Sequence, residues 1–242
     1  MKLDAFEYTN QGGRSYNEDS IGHFIMGESG VFVVADGLGG HQFGELASAC
    51  VRDTLVNDWN GEFNGQPAEW LKNKIQLSNQ TILDIQKEKN AVLKSTVVAL
   101  AIDNRRAVWA NVGDSRLYFL HQGEISSFTN DHSVAFKKYK AGEITRDQIR
   151  TDEDQSCLLR SIGSEDRNEA ELYDKDTTIE IGDAFMLCSD GVWEFLSDEE
   201  ILIDLHKASS AKEWAENMLV RMMGRIEGGN DNLTMLTLMV MP

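Results

Sequence analysis

The stretch Val31-Phe32-Val33-Val34-Ala35-Asp36-Gly37-Leu38-Gly39-Gly40-His41 joins five apolar residues directly to a carboxylate within a glycine-rich segment. β-branched and aromatic residues in a short apolar run indicate a buried strand, and Asp-Gly is typical of a turn. Three glycines around one acid provide more backbone freedom than a two-residue hairpin needs. The stretch therefore predicts a buried strand that ends by presenting Asp36 in an unusually adaptable loop.

The same pattern, an apolar strand next to an acidic turn, recurs along the chain. The recurrences are Val108 to Val112 before Gly113-Asp114, Ala184 to Cys188 before Ser189-Asp190-Gly191, and Asn230-Asp231-Asn232 before Leu233 to Val240. Near the N-terminus, Arg14 lies close in sequence to Glu18 and Asp19. Any one Asp-Gly after a strand is explained by turn chemistry alone, so only the recurrence favours a shared site.

Helical periodicity is present in three longer segments, approximately residues 45–58, 68–89 and 211–226. Three helices are too few to alternate regularly with the strands, so we expect an α+β fold with mostly antiparallel strands. The segment 131–158 is polar and charged, which predicts a surface insertion with partial helicity.

The composition narrows the class of protein. The chain has 242 residues, 41% of them apolar, and a net charge of -17, so we expect one globular domain over residues 1–242. The acidic balance argues against nucleic-acid binding and against docking on anionic lipid. Three cysteines without a CxxC pair favour a reducing compartment, and no apolar run approaches a membrane span. We therefore expect a cytoplasmic protein.

Acids at several strand ends are the ligands that a hard divalent cation requires. Oxygen donors suit Mg²⁺ or Mn²⁺, whereas a zinc site would favour thiolate and imidazole ligands. Carboxylates that converge without a cation repel one another and raise each other's pKa. The pattern predicts a Mg²⁺ or Mn²⁺ site if the strand ends meet.

Seven motifs together resemble the metal-dependent protein serine/threonine phosphatases of the PP2C family, in the compact bacterial form. The motifs, in the family's order, are Arg14 to Asp19, Asp36 to His41 with Glu45, Gly113 to Arg116, Thr129 to Ser133, Leu158 to Gly163, Leu187 to Gly191 and Asp231 to Thr234. They cover essentially the whole chain. Each motif alone is weak evidence for the family, whereas seven motifs in the family's order are strong evidence.

The resemblance implies a β-sandwich flanked by helices in four layers, α/β/β/α, with two tightly bound Mn²⁺ or Mg²⁺ ions at one end. By the family pattern Asp36 bridges the two ions. Asp190 and Asp231 complete the coordination of one ion. The Gly37 carbonyl and Glu18, partly through water, serve the other.

Four further features follow from the same resemblance. Asp114 is similar to the ligand of a third, looser ion shared with Asp190. Arg14 resembles the phosphate clamp, and a flap over about residues 132–155 borders the site. Animal relatives carry a histidine where Leu38 stands, which leaves His41 as the candidate acid for the leaving alkoxide. His41 could equally cap or pack the glycine turn.

The implied activity is hydrolysis of phosphoserine and phosphothreonine on proteins by a metal-activated water, reversing a Ser/Thr kinase. The partners expected are phosphorylated proteins and such a kinase, with the chain as a monomer. Two alternatives remain open: another two-metal phosphoesterase, for example one acting on nucleotides, and a non-catalytic relative that binds a phosphoprotein or kinase. Metal-dependent turnover of a phosphopeptide separates the three.

Overall fold

Two antiparallel sheets form the centre of the fold. The computed structural model describes residues 1–38, 43–57 and 59–242. Its strands are β1 (Lys2–Asn10), β2 (Asp19–Met26), β3 (Ser29–Leu38), β4 (Lys94–Ser95), β5 (Val97–Asp103), β6 (Arg106–Val112), β7 (Arg116–His121), β8 (Glu124–Phe128), β9 (Glu171–Thr178), β10 (Ala184–Cys188) and β11 (Leu233–Met241). The first sheet has the order β1-β11-β10-β7-β8, and the second has β2-β3-β5-β6-β9, with β4 paired to β3.

Helices cover the outer face of each sheet. They are α1 (Phe43–Val56), α2 (Pro67–Lys89), α3 (Val134–Lys140), α4 (Asp190–Trp193), α5 (Asp198–Lys207) and α6 (Ala211–Met223), with a 3₁₀ helix at Asp147–Thr151. Helices α1 and α2 pack on the second sheet, while α5 and α6 pack on the first. The predicted α+β sandwich is confirmed. Within the described residues, none of these helices has the length and apolar character needed to cross a membrane.

The apolar run at residues 31–35 lies in β3, and the position of this strand explains why the run has no polar residue. Val31, Val33 and Ala35 face the helices, while Phe32 and Val34 face the other sheet. A strand that is covered on both faces needs apolar residues at every position. The sequence predicted a turn at Asp36-Gly37, and this is wrong because β3 continues to Leu38 by pairing with β4.

Four strands were not predicted from the sequence, namely β1, β2, β9 and the two-residue β4. Strands β1, β2 and β9 each lie at the edge of a sheet and carry polar residues on the exposed face. The predicted helices are all present, and α6 ends at Met223 rather than near residue 226. Residue 58, the predicted end of the first helix, lies outside the described residues.

The polar segment 131–158 is an excursion whose two ends are joined. It contains α3 and the 3₁₀ helix, which confirms the expected partial helicity. Ser133 and Leu158 form an antiparallel bridge. The Leu159 amide donates to the His132 carbonyl at 2.7 Å, which closes the base of the excursion.

Candidate metal centre

The register of the first sheet brings three acids to the same end. Cys188 of β10 pairs with Arg116 of β7 on one side and with Met235 of β11 on the other. Asp190 follows Cys188, Asp114 precedes Arg116, and Asp231 precedes Met235. All three acids therefore lie at the same end of these neighbouring strands. The predicted meeting of strand ends is therefore present in this sheet.

The second sheet contributes Asp36. Its backbone amide donates to the Thr96 hydroxyl at 2.9 Å, and its carbonyl accepts from the Thr96 amide at 2.8 Å. Besides burial, the charges of Asp190, Asp114 and Asp231 all raise the pKa of the Asp36 carboxyl group, so the acids of the first sheet lie close to it. Asp36 thus occupies the centre of the predicted ligand set.

Glycine allows Glu18 to approach Asp36 closely. The Gly37 amide donates to the Glu18 carbonyl at 3.1 Å. A Cβ on Gly37 would lie 2.1 Å from the Gly44 carbonyl oxygen, and a Cβ on Gly44 would lie 2.7 Å from the Glu18 side chain. Both glycines are therefore required by close packing, and they hold the Gly37 carbonyl beside the Glu18 carboxylate.

Asn232 fastens the loop over residues 11–18 to the centre. Its Nδ2 donates to the carbonyls of Gln11 at 2.8 Å and Tyr16 at 2.9 Å, and its Oδ1 accepts from the Glu18 amide at 2.8 Å. The side chain is buried, so it makes these bonds away from bulk water. Asn232 therefore positions both the loop that carries Arg14 and the backbone of Glu18.

Arg14 lies against the acids in the structure. Its Nη2 donates to Asp231 Oδ2 at 2.7 Å, while 58% of the arginine side chain remains exposed. This hydrogen bond and the nearby carboxylates raise the pKa of Arg14, which keeps the guanidinium charged. The predicted phosphate clamp and a predicted metal ligand are thus direct neighbours.

Asp114 is held by a turn that only glycine fits. Gly113 has φ +100°, and a Cβ there would lie 2.6 Å from Thr96 Cγ2. The indole of Trp193 donates to the Asp114 carbonyl at 3.0 Å. Asp114 itself is 4% exposed, so its carboxyl group lies inside the site rather than on a surface turn.

Burial and mutual repulsion set the electrostatics of these acids. Burial, followed by the neighbouring carboxylates, raises the pKa of Asp36 and Asp114 well above the ordinary value. Burial and Asp231 raise the pKa of Asp190 to about 6. Repulsion that raises the pKa of a carboxyl group is relieved by a nearby cation.

The donor set fits a hard divalent cation. Asp36, Asp190, Asp231 and Glu18 supply carboxylate oxygens, and Gly37 supplies a carbonyl oxygen. Mg²⁺ and Mn²⁺ bind this chemistry, and Zn²⁺ would favour nitrogen and sulfur. Across residues 1–38, 43–57 and 59–242, no three His, Cys, Asp or Glu side chains converge as a formed metal site would. Asp231 is the acid of this set whose carboxylate is already engaged by a cationic side chain, that of Arg14 at 2.7 Å.

Sequence reasoning missed two acids at this site. Asp19 lies opposite Asp36 in the β2–β3 register and accepts from the Ser189 hydroxyl at 2.8 Å; burial raises its pKa to about 7. Glu194 lies one helical turn after Asp190, and burial, with the charges of Asp190 and Asp231, raises its pKa to about 7. The i, i+4 spacing from Asp190 was the available signal for Glu194.

Cys188 and Ser189 directly precede Asp190. Cys188 is buried, and burial raises the pKa of its thiol to about 12, which keeps the thiol protonated at neutral pH. Ser189 is also buried and donates to Asp19 rather than to a histidine. His41, the candidate acid, lies outside the described residues.

The chain is similar to known protein phosphatases along almost its full length. Residues 9–225 match the family model described as protein phosphatase 2C. The serine/threonine phosphatase stp of Listeria welshimeri is 30% identical over 230 residues, which are 92% of this chain and 90% of that protein. The S. agalactiae serine/threonine phosphatase structure has a TM-score of 0.86 at 28% identity and covers 99% of this chain and 100% of its own. The catalytic domain of the phosphatase PstP in complex with two manganese ions has a TM-score of 0.82 at 26% identity, with 99% of each chain covered.

Proposed function

Since this chain belongs to the protein phosphatase 2C family, we propose that it hydrolyses phosphoserine and phosphothreonine in proteins with two Mg²⁺ or Mn²⁺ ions bound. The similar serine/threonine phosphatases support the reaction, and the PstP structure with two manganese ions supports the ion number. The chain is an enzyme of the phosphoric monoester hydrolase class.

One observation carries the proposal: acids from separate elements of both sheets lie close together at one end of the sandwich. Asp19, which lies opposite Asp36 in the second sheet, accepts from the hydroxyl of Ser189, the residue before Asp190, at 2.8 Å. A carboxylate cluster of this kind costs stability unless cations compensate it, so a binding role explains its presence. A surface turn would have left each acid exposed and separate.

The residues have distinct proposed roles. Asp36 would bridge both ions, Asp190 and Asp231 would bind one, and Glu18 with the Gly37 carbonyl would serve the other. Bound divalent ions lower the pKa of water and offset phosphate charge, which is the chemistry that the centre supplies. Asp36, Asp190 and Asp231 would hold the positive charge of the ions at one end of the sandwich, where a phosphorylated side chain would bind.

Arg14 would bind the phosphate group. Its guanidinium is exposed enough to exchange Asp231 for phosphate oxygens, which it can contact bidentately. A fixed positive charge at these oxygens stabilises charge as the phosphate ester breaks. Asn232 keeps the Arg14 loop in place throughout, through its three hydrogen bonds.

Asp114 would hold a third, weaker ion together with Asp190. Its burial and its position at the same end of the first sheet as Asp190 support this role.

The segment 132–155 would act as a flap beside the site. Gln155 of that segment donates to Glu194 at 2.9 Å, which links the flap to the acid cluster.

The chemistry of the substrate also suggests the partners. Phosphoserine and phosphothreonine in proteins are made by Ser/Thr kinases, so this enzyme would reverse such a kinase. Every acid of the proposed centre comes from one chain, which supports a monomer as the active unit. His41 remains a candidate acid for the leaving alkoxide.

The test compares metal-dependent turnover in the wild type and in Asp36→Asn. The wild type should hydrolyse a phosphothreonine peptide, lose this activity in EDTA and regain it with Mn²⁺. Asp36→Asn removes the central charge, so we expect at least about a hundredfold loss of kcat and fewer bound Mn²⁺ ions per chain. Glu88→Gln, which neutralises an exposed acid on α2 away from the centre, is the control and should behave as wild type. Unchanged Mn²⁺ stoichiometry and rate in Asp36→Asn would refute the central role.

A further inference from the structure

A cleft beside the proposed centre is lined by positive side chains. Its volume is about 520 Å³, and its lining includes Lys137, Arg160 and Arg167 together with His132. Lys137 and Arg167 are exposed, and Arg160 is half-buried. The same lining holds three acids, Asp131, Asp166 and Glu169, so the pairing of each charge decides what the cleft can bind.

These three cations have no carboxylate partner among the described residues. Arg160 donates Nη1 to the Glu169 carbonyl at 3.2 Å and lies 3.4 Å from His132 Nε2, so its other donors remain available. Arginines elsewhere in the fold are paired with acids, for example Arg116 with Asp131, Arg146 with Asp198, Arg221 with Asp204 and Arg225 with Glu200. Unpaired cations in an acidic protein are free to bind an external anion.

The acids of the cleft do not cancel the charge of Arg160. Asp131 is buried and accepts both Arg116 Nε at 2.9 Å and Arg116 Nη2 at 2.6 Å, so its charge is already compensated. Asp166 and Glu169 also line the cleft; like Lys137 and Arg167 they are exposed and screened by water, so these four charges largely offset one another. The half-buried Arg160 is thus the strongest available charge in the cleft.

The cleft is connected to the proposed centre by short backbone contacts. The Gly113 amide donates to His132 Nδ1 at 3.1 Å, and the His132 amide donates to the Gly113 carbonyl at 2.9 Å. Gly113 precedes Asp114 directly. An extended peptide advances about 3.3 Å per residue, so residues near a bound phosphoresidue can reach a neighbouring cleft.

We propose that this cleft binds acidic side chains of the phosphoprotein substrate, a few residues from the phosphorylated one. The inference rests on the proposed phosphatase function and adds a substrate class to it. A guanidinium binds a carboxylate through parallel hydrogen bonds, which gives orientation as well as attraction. The negative field of the rest of the surface repels acidic peptides, so the cleft is where such a peptide is accepted.

The test uses four substrates: a phosphothreonine peptide with alanine flanks, the same peptide with aspartates on its N-terminal side, a third with aspartates on its C-terminal side, and p-nitrophenyl phosphate. The cleft variant is Arg160→Gln with Lys137→Gln. The control is Lys72→Gln with Lys212→Gln, which removes two exposed positive charges from helices outside the cleft. Both double variants have the same net charge.

We expect wild type to prefer one acidic peptide over the alanine peptide by about fivefold in kcat/KM, which corresponds to ~1 kcal/mol. High salt should weaken this preference because the charges are partly exposed. The cleft variant should lose the preference and retain wild-type turnover of p-nitrophenyl phosphate, whereas the control should retain both. Equal kcat/KM for all three peptides in wild type, or equal preference in the two double variants, would overturn the inference. No turnover of any substrate with Mn²⁺ would overturn the proposed function itself.

Discussion

Replacing Asn232 with alanine should loosen the centre without changing any acid. The substitution removes three hydrogen bonds, two to carbonyls of the 11–18 loop and one from the Glu18 amide. At ~1 kcal/mol for each bond, the free energy of unfolding should fall by about 3 kcal/mol. Unfolding entropy of about 2.1 cal/mol/K per residue gives about 0.5 kcal/mol/K for this chain, so Tm should fall by about 6 °C.

The same change should weaken substrate binding because the loop carries Arg14. If about half of the lost energy appears in binding, KM for a phosphopeptide rises about tenfold. Tm is measured by thermal unfolding in EDTA, and KM by steady-state kinetics at saturating Mn²⁺.

Asn79→Ala is the matched control. Asn79 is also a buried asparagine, but its Oδ1 accepts one hydrogen bond, from the Gly163 amide at 2.7 Å, and it lies on α2. Its Tm should fall by about 2 °C, with KM unchanged. If Asn232→Ala matched this control in both Tm and KM, the argument that Asn232 positions the loop would be wrong.

Two further predictions concern individual carboxyl groups. Asp114→Ala should retain two tightly bound Mn²⁺ ions and lose kcat more on a phosphothreonine peptide than on p-nitrophenyl phosphate, whose leaving group needs little protonation; wild-type kcat on both substrates would show that Asp114 has only a structural role. The Arg225 and Arg221 guanidinium groups lower the pKa of Glu200 to about 2, below its ordinary 4.5. The folded state therefore holds fewer protons on Glu200, and this stability is present above pH 4.5 and is lost as the pH falls towards 2. Glu200→Gln should cost about 1–2 kcal/mol at neutral pH, a figure reduced for the exposure of Arg225, and the difference from wild type should shrink below pH 4.5 in denaturant titrations. A difference that stays constant with pH would show that charge is not its cause.

The sequence predicts the parts of the fold whose signal is local. Strands such as β3 and β10 are buried on both faces, so each is a continuous apolar run. Strand β1 pairs with β11 across more than two hundred residues, and its alternating polar residues carry little local information. Edge strands therefore depend on partners that the sequence pattern does not reveal.

The same distinction holds for the site. Asp114, Asp190 and Asp231 are predicted because each adjoins an apolar strand, and the structure brings them to one edge. Asp19 becomes part of the cluster only through the β2–β3 register, which places it opposite Asp36. The hydrogen bond from Arg14 to Asp231 likewise depends on Asn232 joining two distant loops. Tertiary pairing, rather than local pattern, decides these contacts.

The position of β11 has a consequence for how the enzyme is made. β11 is the last strand of this fold in chain order, and it lies between β1, the first strand, and β10. Until residues 233–241 are synthesised, β1 and β10 lack the strand that joins them, and Asp231 has no fixed position. An incomplete chain therefore has an open sheet edge and lacks part of its proposed centre. Nascent chains should therefore show no phosphatase activity before this strand has been synthesised and has paired with β1 and β10.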